Sequence, residues 1–172
     1  MKLSAKLQVI SALLVPLLFA GCGYHFSGGG QLPQNAKTIC VQVFENKSGE
    51  SGLDHAIANE IIYYFTRFKN VKLVDKEEAQ AVLSGIIVSA TESSIAHKTS
   101  YVTTGRRIKV VVDVRLTAAG GAVLWKSGFL AEDEAFDIDP DNLQTEENKK
   151  SALAIVSKRL AERIYYLMTS NF

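Results

Sequence analysis

The sequence has 172 residues with 19 basic and 18 acidic side chains, and its formal net charge is +1. A chain of this length fits one domain with a substantial apolar core. The near-zero charge gives no global indication of nucleic acid or of an anionic membrane face as a partner.

The first 21 residues have the pattern of a secretory signal peptide. Lys2 and Lys6 precede an apolar run from Leu7 to Ala20, and small residues then lead to Cys22. The run is shorter than the roughly 20 residues that a helix needs to cross a bilayer core. We therefore expect residues 1–21 to be cleaved and not to span the membrane.

Ala20 and Gly21 before Cys22 resemble a bacterial lipobox. Such a cysteine becomes the new N-terminus and carries an S-diacylglycerol and an N-acyl chain such as palmitate. Two or three acyl chains hold a protein to a membrane essentially for good. The residue after the cysteine is Gly23, whereas an aspartate at this position retains enterobacterial lipoproteins in the inner membrane. The glycine therefore favours the periplasmic side of the outer membrane. The alternative is an ordinary cleaved signal in which Cys22 is incidental.

The rest of the chain is predicted to form a lipidated tether over residues 22–36 and one domain over 37–172. The tether contains a flexible glycine-rich run. From Lys37 to Phe44 the alternation of Ile39, Val41 and Val43 with polar residues predicts a strand. Cys40 in this strand is predicted to be a small buried residue without a disulfide partner.

A long amphipathic helix is predicted from Gly52 to Phe68. Ser51 and Asp54 have the spacing of a capping box, and an apolar stripe follows at helical spacing, namely Leu53, Ile57, Ile61, Phe65 and Phe68. A short strand is then expected over 71–74.

Three extended segments and a second helix complete the domain. Residues 81–96 are expected to be buried in their first half only, and Ile108 to Leu116 alternate as a strand with one charged face. Gly120–Gly121 predicts a hairpin turn, and a return strand is expected to align Val123, Trp125, Phe129 and Ala131. A helix beginning at 145–148 has the apolar stripe Leu153, Val156, Leu160, Ile164 and Leu167. The predicted fold is α+β, with two helices packed on one face of a four-stranded mixed or antiparallel sheet.

No motif indicates an enzyme, a metal site or a cofactor other than the acyl groups. The three histidines, His25, His55 and His97, have no ligand at metal-binding spacing. The acidic residues Asp137, Asp139 and Asp141 begin like a calcium loop, but Asn142 and Asn148 replace its glycine and glutamate. They are predicted to form a solvated turn before the last helix.

Basic residues flank the turn between the two longest strands, namely Lys98, Arg106 and Arg107. Arginine binds phosphate bidentately and lysine as a point charge, so this tip is a candidate site for a lipid headgroup. The alternative is that these charges serve solubility and blunt strand pairing.

Two short segments resemble the LptE family of lipopolysaccharide-assembly lipoproteins. The first is Cys22–Phe26. The second runs from Val41 to Gly49 and precedes the predicted helix that carries Ala58–Asn59–Glu60. The resemblance implies two helices on a four-stranded sheet, a plug inside the LptD outer-membrane barrel, and direct binding of lipopolysaccharide. It also implies a role for a basic loop residue, to which Lys98 is the nearest match. The alternative function is a structural or pilot lipoprotein of another envelope complex, such as a secretin.

Overall fold

The computed structural model describes residues 31–69, 71–95 and 105–170. Some predictions concern residues outside these ranges, namely the signal peptide, Cys22, most of the tether, His25, His97 and Lys98. The elements in chain order are β1 (Thr38–Val41), β2 (Glu45–Asn46), α1 (Leu53–Phe68), β3 (Lys72–Leu73), β4 (Ala81–Ile95), β5 (Gly105–Ala118), β6 (Val123–Asp137) and α2 (Asn142–Thr169).

Within the described residues the strands form one six-stranded mixed sheet. Its order is β3-β1-β4-β5-β6, and β2 pairs with β4 beyond the end of β1. The first three strands form only parallel pairs, whereas β4, β5 and β6 form an antiparallel meander. The predicted α+β class with two helices on one face is confirmed. The predicted count of four strands is wrong, because β3 joins the sheet and a further short strand, β2, forms just beyond the first predicted strand.

The first predicted strand ends early, at Val41, and Phe44 packs closely against Gly85 in the interval before β2. Gln42 and Lys47 each donate a backbone hydrogen bond to β4, but Val43 and Phe44 lie between β1 and β2 and belong to neither strand. The Phe44 ring is 2% exposed, and a Cβ on Gly85 would lie 2.7 Å from it. Val43 is consequently 51% exposed, so the predicted stripe of alternating residues ends at Val41.

Helix α1 has the predicted apolar stripe but a different start. Four of the five stripe residues are buried and Phe68 is partly buried. The predicted capping box is wrong: the N-cap is Gly52 at φ 79°, and no side chain caps the helix. Glycine adopts this left-handed conformation without the steric cost of a Cβ.

Strand β5 forms the centre of the core, and its alternation is confirmed. Its five inward residues, Ile108, Val110, Val112, Val114 and Leu116, are fully buried. The sheet therefore has an inner face covered by the helices and an outer face that carries the charged residues of β5.

The predicted face of β6 is wrong at Val123, which is 50% exposed, and again beyond a bulge at Ser127–Gly128. The register with β5 shifts there, and Gly128 has φ 63°. The Ser127 Oγ accepts the Val114 backbone N–H at 2.9 Å, in place of a ladder partner. Because a bulge exchanges the two faces of the following residues, Leu130 is buried whereas Phe129 is 76% exposed.

Helix α2 begins at Asn142, a turn before the predicted start. Asp141 is its N-cap and accepts the Leu143 N–H at 2.9 Å, while Asp139 accepts the Asp141 N–H. The predicted acidic turn is thus the capping structure of the helix. The apolar stripe is confirmed, since Val156, Leu160 and Ile164 are fully buried.

The two helices run parallel, which defines two ends of the domain. At one end Phe68 of α1 stacks on Tyr165 of α2 at 4.9 Å. At the same end, Gln80 accepts hydrogen bonds from the backbone N–H groups of Lys37 and Ala119. Leu32, before β1, is buried in the core at 1% exposure. We call this end the base. At the other end, the tip, β4 leaves the core. The 15 residues of β4 separate base and tip by about 45–50 Å.

Candidate functional site

The predicted basic cluster at the tip is divided between two faces of the sheet. Arg106 and Arg107 are neighbours in β5, so their side chains point to opposite faces. Arg106 shares the inner face with Ile108, and Arg107 shares the outer face with Lys109. The structure therefore does not bring the two arginines together, and Lys98 lies outside the described residues.

On the inner face, Arg106 belongs to a chain of ion pairs. Its Nη1 lies 3.1 Å from the Glu92 Oε2, and the other Glu92 oxygen lies 2.8 Å from the Lys149 Nζ. Lys149 also binds Glu50 at 2.7 Å. We call these four residues the ion-pair chain. It joins β5, β4, α2 and the turn before α1.

The ion-pair chain shifts the pKa values of its two central members. The hydrogen bond from Lys149 lowers the pKa of the Glu92 carboxyl, and Arg106 lowers it further against the opposing effect of burial. Burial alone would lower the pKa of Lys149, but the hydrogen bonds to Glu50 and Glu92 outweigh it and raise that pKa. The charges of this cluster are thus balanced within the protein.

On the outer face, Arg107 forms one ion pair, with Asp133 at 3.2 Å. The two side chains are 51% and 42% exposed, so water and salt screen the pair and it contributes little to stability. Lys109 lies two residues further along the same face and is exposed. Ser93 and Thr91 of β4 stand directly opposite these two basic residues.

The outer tip surface, namely Arg107, Lys109, Thr91 and Ser93, can offer two cations and two hydroxyls to an anion, beside the Asp133 carboxylate that stands opposite Lys109 in β6. Sequence reasoning treated Lys109 only as a charged strand residue. The alternation of β5 could have identified Lys109 as part of this surface, because residues two apart in a strand lie on the same face of the sheet.

Of the candidate histidines and cysteines, the structure describes His55 and Cys40. His55 is exposed and lies 3.9 Å from Asp54. Burial raises the pKa of the half-buried Cys40 thiol, and Asp75 and Glu77 raise it further, which disfavours a reactive thiolate. In the described ranges no three His, Cys, Asp or Glu residues are grouped to hold a metal ion.

Helix α2 is 28 residues long, but polar side chains recur along it. Within residues 31–69, 71–95 and 105–170, no helix has both the length and the apolar content needed to cross a membrane.

Several solved lipoprotein structures have a similar fold. A lipoprotein B from Nitrosomonas europaea has 16% identity and a TM-score of 0.52, and the alignment covers 86% of this chain and 91% of that one. A minor lipoprotein from Acinetobacter baumannii has 15% identity and a TM-score of 0.51, with coverage of 78% and 92%. The rare lipoprotein B from Shewanella oneidensis has 18% identity and a TM-score of 0.51, with coverage of 77% and 94%. At these identities the similarity establishes the fold.

The sequence itself identifies the family. A comparison with curated proteins finds no match. The family model described as LptE, lipopolysaccharide-assembly, matches residues 36–168, which include every helix core and every strand described above. This chain therefore belongs to the LptE family of lipopolysaccharide-assembly lipoproteins.

Proposed function

We propose that this protein is a lipid-anchored, non-catalytic component of lipopolysaccharide transport that plugs and helps to assemble the LptD barrel. The family match over residues 36–168 supports the proposal most directly. The lipobox-like segment supplies the anchor, with an S-diacylglycerol and an N-acyl chain on Cys22. We place the protein at the periplasmic side of the outer membrane.

The outer face of the sheet suits the interior of a barrel. The lumen of an outer-membrane barrel is polar, in contrast to its lipid-facing surface. Along β5 the outer face carries Lys109, Asp113 and Arg115, opposed by hydroxyl residues of β4 at Thr91 and Ser84. A mixed-charge surface of this kind can exchange hydrogen bonds and ion pairs with a polar lumen.

We propose that lipopolysaccharide binds at the outer tip surface together with Lys98. The phosphates of lipopolysaccharide can replace Asp133 as the partner of Arg107, because that ion pair is half-exposed and weak. Arg106 has a different role, since its charge is already balanced by Glu92 on the inner face. It supports the tip and does not contact the lipid.

Arginine substitutions separate these two roles. Arg107→Ala combined with Lys109→Ala is expected to raise the Kd for lipopolysaccharide about tenfold, as two exposed charge contacts of about 0.5–1 kcal/mol each are lost. Its free energy of unfolding should stay within about 0.5 kcal/mol of wild type. Arg106→Ala is expected to lower that free energy by about 0.5–1 kcal/mol and to leave the Kd unchanged.

The matched control for the charge change is Lys150→Ala combined with Lys158→Ala, at two exposed lysines of α2. This control should bind lipopolysaccharide like wild type. Equal weakening in both double variants would show a general charge effect and remove the proposed site.

Partner identity tests the plug independently of the site. Purification in detergent should recover the protein with a large outer-membrane barrel, and depletion should stop lipopolysaccharide from reaching the cell surface. Recovery with a secretin and normal lipopolysaccharide export would instead favour the pilot function.

A further inference from the structure

A second basic surface lies at the base, far from the tip. Three lysines, Lys37, Lys69 and Lys72, line an open pocket of about 520 Å³, together with Phe65, Val71 and Leu73. We call it the lysine pocket. Parallel pairing of β1 with β3 brings Lys72 beside Lys37, and the end of α1 supplies Lys69.

No ion pair within the described chain neutralises the lysine pocket, although Lys72 and Leu73 also border a neighbouring pocket that carries Asp75 and Glu78. All three lysines are exposed, none forms an ion pair with a described residue, and no acidic residue lines the pocket. Three basic residues at the tip differ, since Arg106, Arg107 and Lys149 each pair with a carboxylate. Uncompensated cations around an apolar floor are complementary to an anion that carries apolar groups.

The backbone at Lys69 is a second, independent observation. Lys69 ends α1 in the left-handed conformation, with φ 53°, and its N–H donates to the Phe65 carbonyl. Glycine is the residue that this position favours, because a Cβ is strained there. A lysine at this place adds a cation to the pocket at a cost in backbone stability.

Aromatic side chains extend this surface across the ends of the helices. Tyr166 is 48% exposed and contacts Phe68, and the Arg67 guanidinium lies over the Phe68 ring at 5.9 Å. Tyr63 on the same helix is also half-exposed. Exposed tyrosines beside basic residues are typical of surfaces that sit at the headgroup level of a membrane.

The chain path determines which end of the domain stays near its anchor. Nine peptide units separate Cys22 from Gln31, so this link spans at most about 32 Å. The chain then enters the domain at the base, where Lys37 itself borders the pocket. The tip lies a further 45–50 Å away along β4.

We infer that the base of this domain is a contact surface for a bilayer with anionic headgroups, and that the lysine pocket receives a headgroup phosphate. The inference takes from the proposed function only the identity of the membrane, through the attachment at Cys22. The contact would hold the domain upright, with its tip directed away from the leaflet that anchors it.

The test uses the mature chain from Cys22 with Cys22→Ser, so that no acyl group contributes to binding. Its partition onto vesicles is measured by co-sedimentation, with phosphatidylcholine alone and with 30% phosphatidylglycerol added. This parent chain, with all three pocket lysines present, should bind only the anionic vesicles. Replacing Lys37, Lys69 and Lys72 by Ala should weaken that binding about 100-fold, at about fivefold per lysine.

The matched control replaces Lys126, Lys150 and Lys158 by Ala, three exposed lysines outside both the pocket and the outer tip surface. It should retain binding within about threefold. Equal loss in both triple variants, equal binding to both vesicle types, or no binding by the parent chain would overturn the inference. Full competition by millimolar glycerol phosphate would indicate a soluble phosphate ligand and would overturn it as well.

Lys69→Gly separates binding from folding. It relieves the strained backbone, so its melting temperature should equal or exceed that of the parent, while binding to anionic vesicles weakens about fivefold. Lys69→Arg should retain binding. Unchanged vesicle binding by Lys69→Gly would contradict the role of this side chain. Because the assay contains no lipopolysaccharide, failure of the proposed tip site would leave its result unaffected.

Discussion

Along the long strands β4 to β6, the base and the tip are joined to the helices by different kinds of interaction. Near the base the inner face is apolar, with Leu83 and Leu116 fully buried and Phe65 in edge contact with Tyr165 at 5.3 Å. Towards the tip a small apolar cluster remains around Ile108 and Phe136. Ion pairs add to the contacts there, from Lys149 to Glu92 and from Arg159 of α2 to Glu134 of β6.

This difference predicts a gradient of stability within one sheet. Apolar burial depends little on pH or salt, whereas ion pairs weaken as ionic strength rises and as carboxylates are protonated. The tip should therefore open locally at a lower free energy than the base. A binding surface at the tip thus lies on the part of the domain that can adjust to a ligand.

The largest effect is expected from an apolar truncation in the core of α2. Leu160 is fully buried, so Leu160→Ala should lower the free energy of unfolding by about 2–5 kcal/mol. Leu143→Ala, on the same helix but at 69% exposure, should change it by less than about 0.5 kcal/mol. Urea unfolding at low and high salt measures both. A loss at Leu160 that depends strongly on salt would contradict the apolar character of this region.

A smaller, condition-dependent effect is expected at the centre of the ion-pair chain. Lys149→Met leaves Glu50 and Glu92 without their shared partner and should cost about 1–2 kcal/mol at neutral pH and low salt. High salt should reduce the difference from wild type. The control Lys150→Met removes an exposed neighbouring charge and should have almost no effect.

The pH dependence of this variant has a definite sign. The folded-state pKa of Glu92 is lowered from its ordinary value of 4.5, so its contribution is complete above that value and is lost as the pH falls through the lower folded-state pKa. The pKa of Lys149 is raised from 10.5, so its contribution is lost only in alkaline solution. Wild type should therefore lose stability below about pH 4.5 more steeply than Lys149→Met. Parallel pH profiles would contradict the role of the pair.

The periodic elements could be predicted from sequence, because burial along a regular helix or strand follows a local repeat. The stripes of α1, β5 and α2 are examples. The face of β6 could not be predicted, since two register shifts, one next to Val123 and one at Ser127–Gly128, interrupt the alternation. The early end of the first strand also could not be predicted, because it depends on the fit of Phe44 against Gly85, 41 residues away.

The same distinction applies to the two basic surfaces. Nearness in sequence suggested that Arg106 and Arg107 act together, but adjacent strand residues face opposite ways. The lysine pocket shows the reverse case, as Lys37 and Lys72 are far apart in sequence and meet through the pairing of β1 and β3. The separation of the two arginines and the proximity of the two lysines both depend on the arrangement of the strands in the sheet, which is a property of the fold.

The smallest change in the free energy of unfolding is expected at the N-terminal caps of the two helices, which lie at the tip. Asp141 caps α2 by accepting the Leu143 N–H, so Asp141→Ala should cost about 1 kcal/mol. Ser51→Ala should cost no more than a few tenths of a kcal/mol, because Ser51 makes no capping bond to α1. Hydrogen exchange should show faster exchange in the first turn of α2 for Asp141→Ala, with protection around Leu160 unchanged. Equal losses in the two variants would restore the capping box predicted for α1. A uniform loss of protection from tip to base would show that the two ends unfold as one unit.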